Sequence, residues 1–171
     1  YTCFGLSCIV SGDIPNNAGS LAPFEISAPE GTILNAPYPA PVCSRHVIGQ
    51  MLPDVSFGCL AQAAPDRVPA EGASCLWNIT MRGATDRAAN DSKLFTITAV
   101  TNGGTGARPI KDGLSATAYP SGVRGTPVEI NETVAPIIFH RKEFRPDSGG
   151  AGVHRGGLGQ ILEIESAIGA D

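Results

Sequence analysis

Stretches in which apolar and polar residues alternate, or in which β-branched residues are frequent, predict several short strands in this chain. The alternation is clear in CLWNITMRG (75–83) and in LGQILEIESA (158–167). KLFTITAV (93–100) is rich in β-branched residues, which fit a pleated surface, and a further strand is predicted at IIFHRKEF (137–144). PFEISAPEGTILN (23–35) predicts a short strand, a tight turn at Pro-Glu-Gly and a second extended piece.

Apolar residues at helical spacing predict one main helix at about residues 44–64. Ser44 is its predicted N-cap, and Pro53 lies inside the pattern, which predicts either a kink or two abutting helices. Residues 1–10 predict the last turns of another helix, because turn-forming Ser-Gly-Asp follows them. For PVEINETVAP (127–136) a short helix and an extended run remain open.

These patterns predict an α+β fold with a loop-rich mixed sheet, one main helix and several short strands. Glycine (21) and proline (14) together make up about a fifth of the 171 residues, which favours many turns over a helical bundle. The sequence contains no internal repeat and no low-complexity linker, so we interpret residues 1–171 as a single segment.

Charge and composition exclude several classes of partner. A net charge of −4 and the absence of any Lys/Arg run argue against nucleic acid, and no apolar stretch is long enough to span a membrane. The five cysteines lack CxxC spacing, which favours free thiols over a disulfide framework. We therefore expect a protein of a reducing, cytoplasmic compartment.

Two glycine-rich loops that carry basic residues are the candidate sites. SGGAGVHRGGLGQ (148–160) and NGGTGARPIKDG (102–113) could bring bare backbone N–H groups close to an anion. Spacing and context exclude a dinucleotide fingerprint in the 148–160 loop, and no P-loop motif occurs in the chain. Binding of a ligand, docking of a partner chain, close backbone packing and simple tight turns remain open for both loops.

The titratable residues give weaker signals. The three histidines lie far apart in sequence and form no metal-binding motif; they are His46, His140 and His154. His46 stands at a helix start, where a cation is poorly placed, and this predicts an anionic neighbour or a neutral imidazole. Asp147, beside Arg145 and Arg155, predicts an ion pair that orders the 148–160 loop.

Three long segments resemble the C-terminal part of the hydantoinase B/oxoprolinase family. They are residues 29–72, 103–132 (GGTGARPIKDGLSATAYPSGVRGTPVEINE) and 144–160 (FRPDSGGAGVHRGGLGQ). The family includes N-methylhydantoinase B-type subunits, the C-terminal half of 5-oxoprolinase and subunits of acetone and acetophenone carboxylases. The likeness extends over nearly the whole chain, as an ordered series of loops.

The resemblance implies part of an ATP-linked enzyme that opens a cyclic amide of the hydantoin or 5-oxoproline class. ATP would be bound by a partner of the hydantoinase A type, which phosphorylates the substrate oxygen. The rest of the B-type chain would be a further partner, and a divalent metal would belong to the N-terminal part of such a chain, which these residues do not include. We therefore expect the isolated segment to be inactive.

Within this hypothesis we assign roles to eight residues. His46 is the candidate for acid–base catalysis. The candidates for binding the small-molecule substrate are glycines and arginines of the two loops: Gly103, Gly104, Arg108, Gly149, Gly150, Gly152 and Arg155. Two alternatives remain open, namely a fragment of an ATP-dependent ketone carboxylase and a non-catalytic module that docks subunits.

Overall fold

Helices and strands are both short in the computed structural model, which describes residues 1–74, 76–85 and 93–168. In chain order the elements are α1 (Thr2–Val10), α2 (Ala18–Leu21), α3 (Arg45–Leu60), β1 (Leu76–Ala84), β2 (Leu94–Asn102), α4 (Val128–Val134), β3 (Ile137–Phe144) and β4 (Gln160–Ser166). This content confirms the predicted α+β class.

The strands form two separate antiparallel pairs rather than one mixed sheet. β1 pairs with β2 from Leu76 opposite Asn102 to Ala84 opposite Leu94. β3 pairs with β4, with an irregularity in register after Phe139. The four strand predictions after residue 74 are confirmed to within two residues at each described end, although Cys75, the first residue of one prediction, lies outside the described residues.

The main helix is α3, a single continuous element that ends at Leu60, four residues before the predicted end. Pro53 lies inside it with a fully buried side chain, so the alternative of two abutting helices is wrong. Ser44 occupies the N-cap position, but its side chain caps no backbone amide. Its left-handed backbone (φ 59°) is the reason that the predicted capping does not form, because an N-cap side chain normally acts from an extended backbone.

Residues 23–35 form no strand, so that prediction is wrong although the turn it contained is present. The backbone amide of Gly31 donates to the carbonyl of Asn35, and the amide of Asn35 donates back to Thr32, each at 3.0 Å. The local alternation of apolar residues has no second strand to pair with among the described residues, and a lone extended segment is not stable as a strand.

The core lies where α1 packs against α3, where α3 meets β1 and where α4 packs against β3 and β2. Its fully or nearly fully buried apolar side chains are Pro53, Phe57, Val68, Leu76, Ala99, Ala118, Ala135 and Ile137. The helix predicted at residues 1–10 is confirmed as α1, and the open segment 127–136 contains α4, which packs against β3.

Two further predictions can be compared with the described residues. None of the described cysteines, Cys3, Cys8, Cys43 and Cys59, is in a disulfide, and Cys75 lies outside the described residues. Within the same ranges, no helix combines the length and the apolar character that crossing a bilayer would require.

Two helical glycines give a paired prediction about stability. A Cβ at exposed Gly58 of α3 would meet nothing within 4 Å, so Gly58→Ala should raise the free energy of unfolding by about 0.5–1 kcal/mol, through helix propensity. At buried Gly5 of α1 a Cβ would instead lie 3.0–3.3 Å from side-chain atoms of Phe57, Pro120 and Pro53, so Gly5→Ala should lower it. Urea denaturation of both variants measures the difference, and equal effects would contradict this packing.

Candidate functional site

The two glycine-rich loops pack against each other backbone to backbone. A Cβ atom placed on any of six glycines would come within 3 Å of atoms in another segment or in another part of the same loop. At Gly104 the obstacle is the backbone of Gly157, and at Gly157 it is the carbonyl of Leu114. The six are Gly103, Gly104, Gly106, Gly113, Gly149 and Gly157. Close backbone packing, one of the alternatives left open by the sequence, therefore explains these glycines.

Hydrogen bonds between main-chain groups hold this contact together. The amide of Gly157 donates to the carbonyl of Thr105 at 2.8 Å, and the amide of Thr105 donates to Leu114 at 2.8 Å. Gly113 donates to the carbonyl of Arg155 at 2.7 Å, and Ala73 donates to Gly104 at 2.9 Å. Several of the loop amides are thus engaged with the chain's own carbonyls.

Asp112 connects the basic residues of the two loops. Its carboxylate accepts the backbone amide of Arg155 at 3.0 Å, and it lies 3.4 Å from Arg155 Nε and 3.7 Å from His154 Nδ1. The Asp112 carbonyl accepts two hydrogen bonds from the Arg108 guanidinium, at 2.7 and 2.9 Å. Since these side chains are about half exposed, the ion pairs fix geometry more than they add stability.

A cavity of about 610 Å³ opens between α1, α3 and the 102–113 loop; we name it the α3 cavity. Its apolar lining is accompanied by a few polar groups, a composition and a size typical of small-molecule sites. Gly103, Gly104 and Arg108 of the predicted site all line it. Gln50 and Asp54 line it from α3.

The polar groups of the α3 cavity are held by hydrogen bonds and by burial. Gln50, only 2% exposed, donates from Nε2 to the carbonyl of Tyr119 at 2.6 Å. Asp54 accepts a hydrogen bond from the Ser74 hydroxyl. Burial raises the pKa of the Tyr119 phenol to about 12, and the neighbouring Cys8 thiol, which also lines the cavity, adds to the increase.

A second cavity of about 630 Å³ lies between the 102–113 and 148–160 loops; we name it the inter-loop cavity. The strip 103–106 lines both cavities, and so do Ala70, Gly72 and Ala73. Gly150 and Gly152 of the predicted site line the inter-loop cavity, together with Arg145 and His154.

His46, the predicted acid–base residue, lies outside both sets of cavity-lining residues. Its ring Nε2 is 2.8 Å from the Asn78 Nδ2 of β1. The neighbour of the ring in this contact is thus a neutral amide and not a carboxylate. The catalytic role of His46 stays a prediction.

Two other predicted site residues serve the loop structure. Gly149 sits against the carbonyl of Gly156, and Arg155 is held by Asp112 and lines neither cavity. The ion pair predicted for Asp147 is wrong: among the described residues it pairs with neither Arg145 nor Arg155, and Asp112 takes that place. Asp147 is close to both arginines in sequence, but it stands in a turn with a left-handed backbone (φ 55°).

Sequence reasoning missed several residues that the fold brings to the cavities. Gln50 and Tyr119 carried no motif, and only the fold shows that they meet. Asp112 stands four positions after Arg108 in the sequence, and this spacing could have suggested a contact between the two residues. In the described ranges no group of three or more His, Cys, Asp or Glu side chains could hold a metal ion.

The described residues form an α+β segment in which the strip 103–106 has a cavity on each side. The chain belongs to the Hydantoinase B/oxoprolinase family, whose sequence model matches residues 1–169. This confirms the resemblance seen in the three loop-rich segments.

Relatives with names that describe their activity are similar over most of this chain. The B component of a putative D-/L-hydantoinase from Pseudomonas sp. (strain NS671) is 32% identical over 93% of the chain, and 5-oxoprolinase 1 of Arabidopsis thaliana is 34% identical over 94%. The beta chain of the caprolactamase from Pseudomonas jessenii is 36% identical over 80%. The chain spans only 26%, 12% and 24% of these three proteins, respectively.

A solved structure is also similar to part of the chain. It is the nucleotide-free structure of an acetone carboxylase, with 26% sequence identity and a TM-score of 0.45 over 60% of this chain and 14% of that one. A likeness of this size does not separate the hydrolase and carboxylase alternatives.

The backbone contact of the loops predicts which glycines tolerate a side chain. Gly104→Ala should lower the free energy of unfolding by about 1–3 kcal/mol or more, because its methyl group would overlap the Gly157 backbone. Gly150→Ala, where a Cβ meets nothing within 4 Å, is the matched control and should leave stability almost unchanged. Thermal and urea denaturation of both variants test this, and a fully stable Gly104→Ala would rule out the contact.

The raised pKa of Tyr119 predicts how stability changes at alkaline pH. The folded chain favours the neutral phenol, so this contribution to stability is complete below pH 10 and is lost as the pH rises toward 12. Ultraviolet titration of the phenolate should show a component with a midpoint near 12 that is absent from Tyr119→Phe. Persistence of that component in Tyr119→Phe would assign it to another group.

Proposed function

We propose that this segment takes part in the ATP-dependent hydrolysis of a cyclic amide of the hydantoin or 5-oxoproline class. The observation that carries the proposal is the α3 cavity, whose wall is the 102–113 loop, in a chain of the hydantoinase B/oxoprolinase family. Hydantoinase, 5-oxoprolinase and caprolactamase, which occur among its relatives, are all named after ring amides.

The lining of the α3 cavity suits a compact ring with polar edges. Apolar side chains such as Ile9, Ile110 and Leu114 can cover the carbon atoms of the ring. Polar groups such as Arg108 and Thr105 can pair with the amide edge. We therefore assign Arg108, Gly103 and Gly104 to the wall that contacts the substrate.

In this proposal Arg108 acts on the charge that develops at the amide oxygen. Its guanidinium is oriented by two hydrogen bonds to the Asp112 carbonyl, so it needs little rearrangement when that charge appears. His46 remains the proposed acid–base residue. It contacts Asn78 and does not line the cavity, so in this proposal it acts from outside the lining.

The remaining components of the reaction belong to partners. ATP would supply the phosphoryl group that makes the amide oxygen a leaving group, and we place its binding on a hydantoinase A-type subunit. The described residues offer no cluster that fits a metal ion, so no step is assigned to one in this segment. A cytoplasmic hetero-oligomer, in which this segment is inactive alone, completes the proposal.

Docking of a partner chain is a second candidate, and it is favoured by the arm at residues 23–43. Its hydrogen bonds among the described residues link positions seven or fewer apart, so it is not tied to the core through them. Several of its apolar side chains are exposed, with Tyr38 99% and Ile33 76% accessible. Exposed apolar side chains of this kind are typical of interaction surfaces.

Substitution of Arg108 in the full-length B-type protein, assayed with its A-type partner, tests the catalytic proposal. Arg108→Ala should lower kcat/KM for ring opening by about 10- to 100-fold, because a charged hydrogen-bond donor is lost from the site. Arg124→Ala removes an equal charge from an exposed position outside both cavities and should leave turnover unchanged. Ring opening is measured with hydantoin and with 5-oxoproline, each with and without ATP.

Co-elution of the A-type and B-type proteins separates the two candidates. Arg108→Ala should co-elute with the A-type partner as the unsubstituted protein does. If it loses assembly together with activity, the loop docks the partner and the catalytic assignment of Arg108 is wrong. Ring opening that does not depend on ATP would contradict the reaction class itself.

A further inference from the structure

Gly150 is a glycine that the described chain does not itself require. Its backbone is outside the left-handed region, and a Cβ built there would meet nothing within 4 Å. Nearby Gly149 and Gly157, by contrast, would collide with backbone atoms. Close approach of a ligand to the backbone is a further reason for glycine, and it can apply where neither conformation nor packing requires one. Gly150 lines the inter-loop cavity, so the ligand would lie there.

The inter-loop cavity also presents a cation with no counter-ion. No carboxylate of the described residues lies within 4 Å of the Arg145 guanidinium, whereas Arg155 is close to Asp112. Two hydrogen bonds fix the main chain of Arg145. Its amide donates to the Gly159 carbonyl at 2.9 Å, and its carbonyl accepts from the Ser148 hydroxyl at 2.7 Å. Arg145 is therefore anchored at its backbone and available at its charged end.

Backbone amides and one histidine complement this charge. Among the described residues the amides of Gly150 and Gly152 donate to no protein acceptor, and both residues line the cavity. His154 also lines the cavity, while its Nδ1 faces Asp112. Arginine with bare glycine amides is the set of donors that proteins use for carboxylates and phosphates. Glu71 also lines the cavity, and its carboxylate is a like charge for an anion bound there.

We infer that the inter-loop cavity binds one small oxyanion, a carboxylate or a phosphate, through the Arg145 guanidinium and the amides of Gly150 and Gly152. This site lies on the other side of the 103–106 strip from the α3 cavity. It does not depend on the proposed reaction, because binding of the anion can be measured directly.

Titration of the 171-residue chain with inorganic phosphate and, separately, with acetate tests the inference. Both are added at constant ionic strength, and backbone amide signals are followed by NMR. We expect saturable shifts at Gly150 and Gly152 with at least one of the two anions. Saturation with phosphate alone identifies a phosphoryl group, and saturation with acetate alone identifies a carboxylate. Absence of saturable shifts with both anions overturns the inference.

Two variants and a matched control make the test specific to this cavity. Arg145→Gln should weaken binding by at least about tenfold, and Arg124→Gln, which removes the same charge elsewhere, should not. Gly150→Ala should also weaken binding while the midpoint of urea denaturation stays unchanged, because its methyl group occupies the space of the ligand and touches no part of the fold. Equal affinity in Arg145→Gln and in the unsubstituted chain would overturn the inference.

Discussion

The contact between Gly104 and Gly157 is the constraint on which the rest of the structure depends. It brings the loop that follows β2 against the loop that precedes β4, so it joins two hairpins that share no strand. The Gln160 side chain reinforces the junction by donating from Nε2 to the Asn102 carbonyl at 2.7 Å. Only glycine allows two main chains to approach so closely, and therefore the loops carry this residue at both positions.

The same contact explains why glycine is dense in these loops without being equivalent at each position. Gly106 and Gly113 are needed because carbonyl groups of neighbouring segments occupy the space of a side chain. Gly150 is different, because that space is empty and faces a cavity. Packing thus explains Gly106 and Gly113 but not Gly150, and a count of glycines could not distinguish these positions.

The sequence predicted local elements well and long-range contacts poorly. β3 was predicted with its observed bounds, because alternation and β-branched residues are properties of neighbouring positions. The partner of Arg155 was predicted as Asp147, which is close in sequence, but it is Asp112, 43 residues away. Residues 23–35 had a strand-like pattern without a partner strand among the described residues. The α3 cavity could not be predicted either, since Gln50 and Tyr119 meet only after α3 and the loops are packed.

The strip 103–106 gives the two cavities a common wall made mainly of backbone. Thr105 is fixed in this wall on three sides, because its amide donates to Leu114, its carbonyl accepts from Gly157 and its hydroxyl accepts from the Leu114 amide. Peptide groups held in this way keep their dipoles oriented before any ligand arrives, which is the condition under which they stabilise charge most effectively. Because the strip lines both cavities, a substitution that displaces it should alter the lining of both.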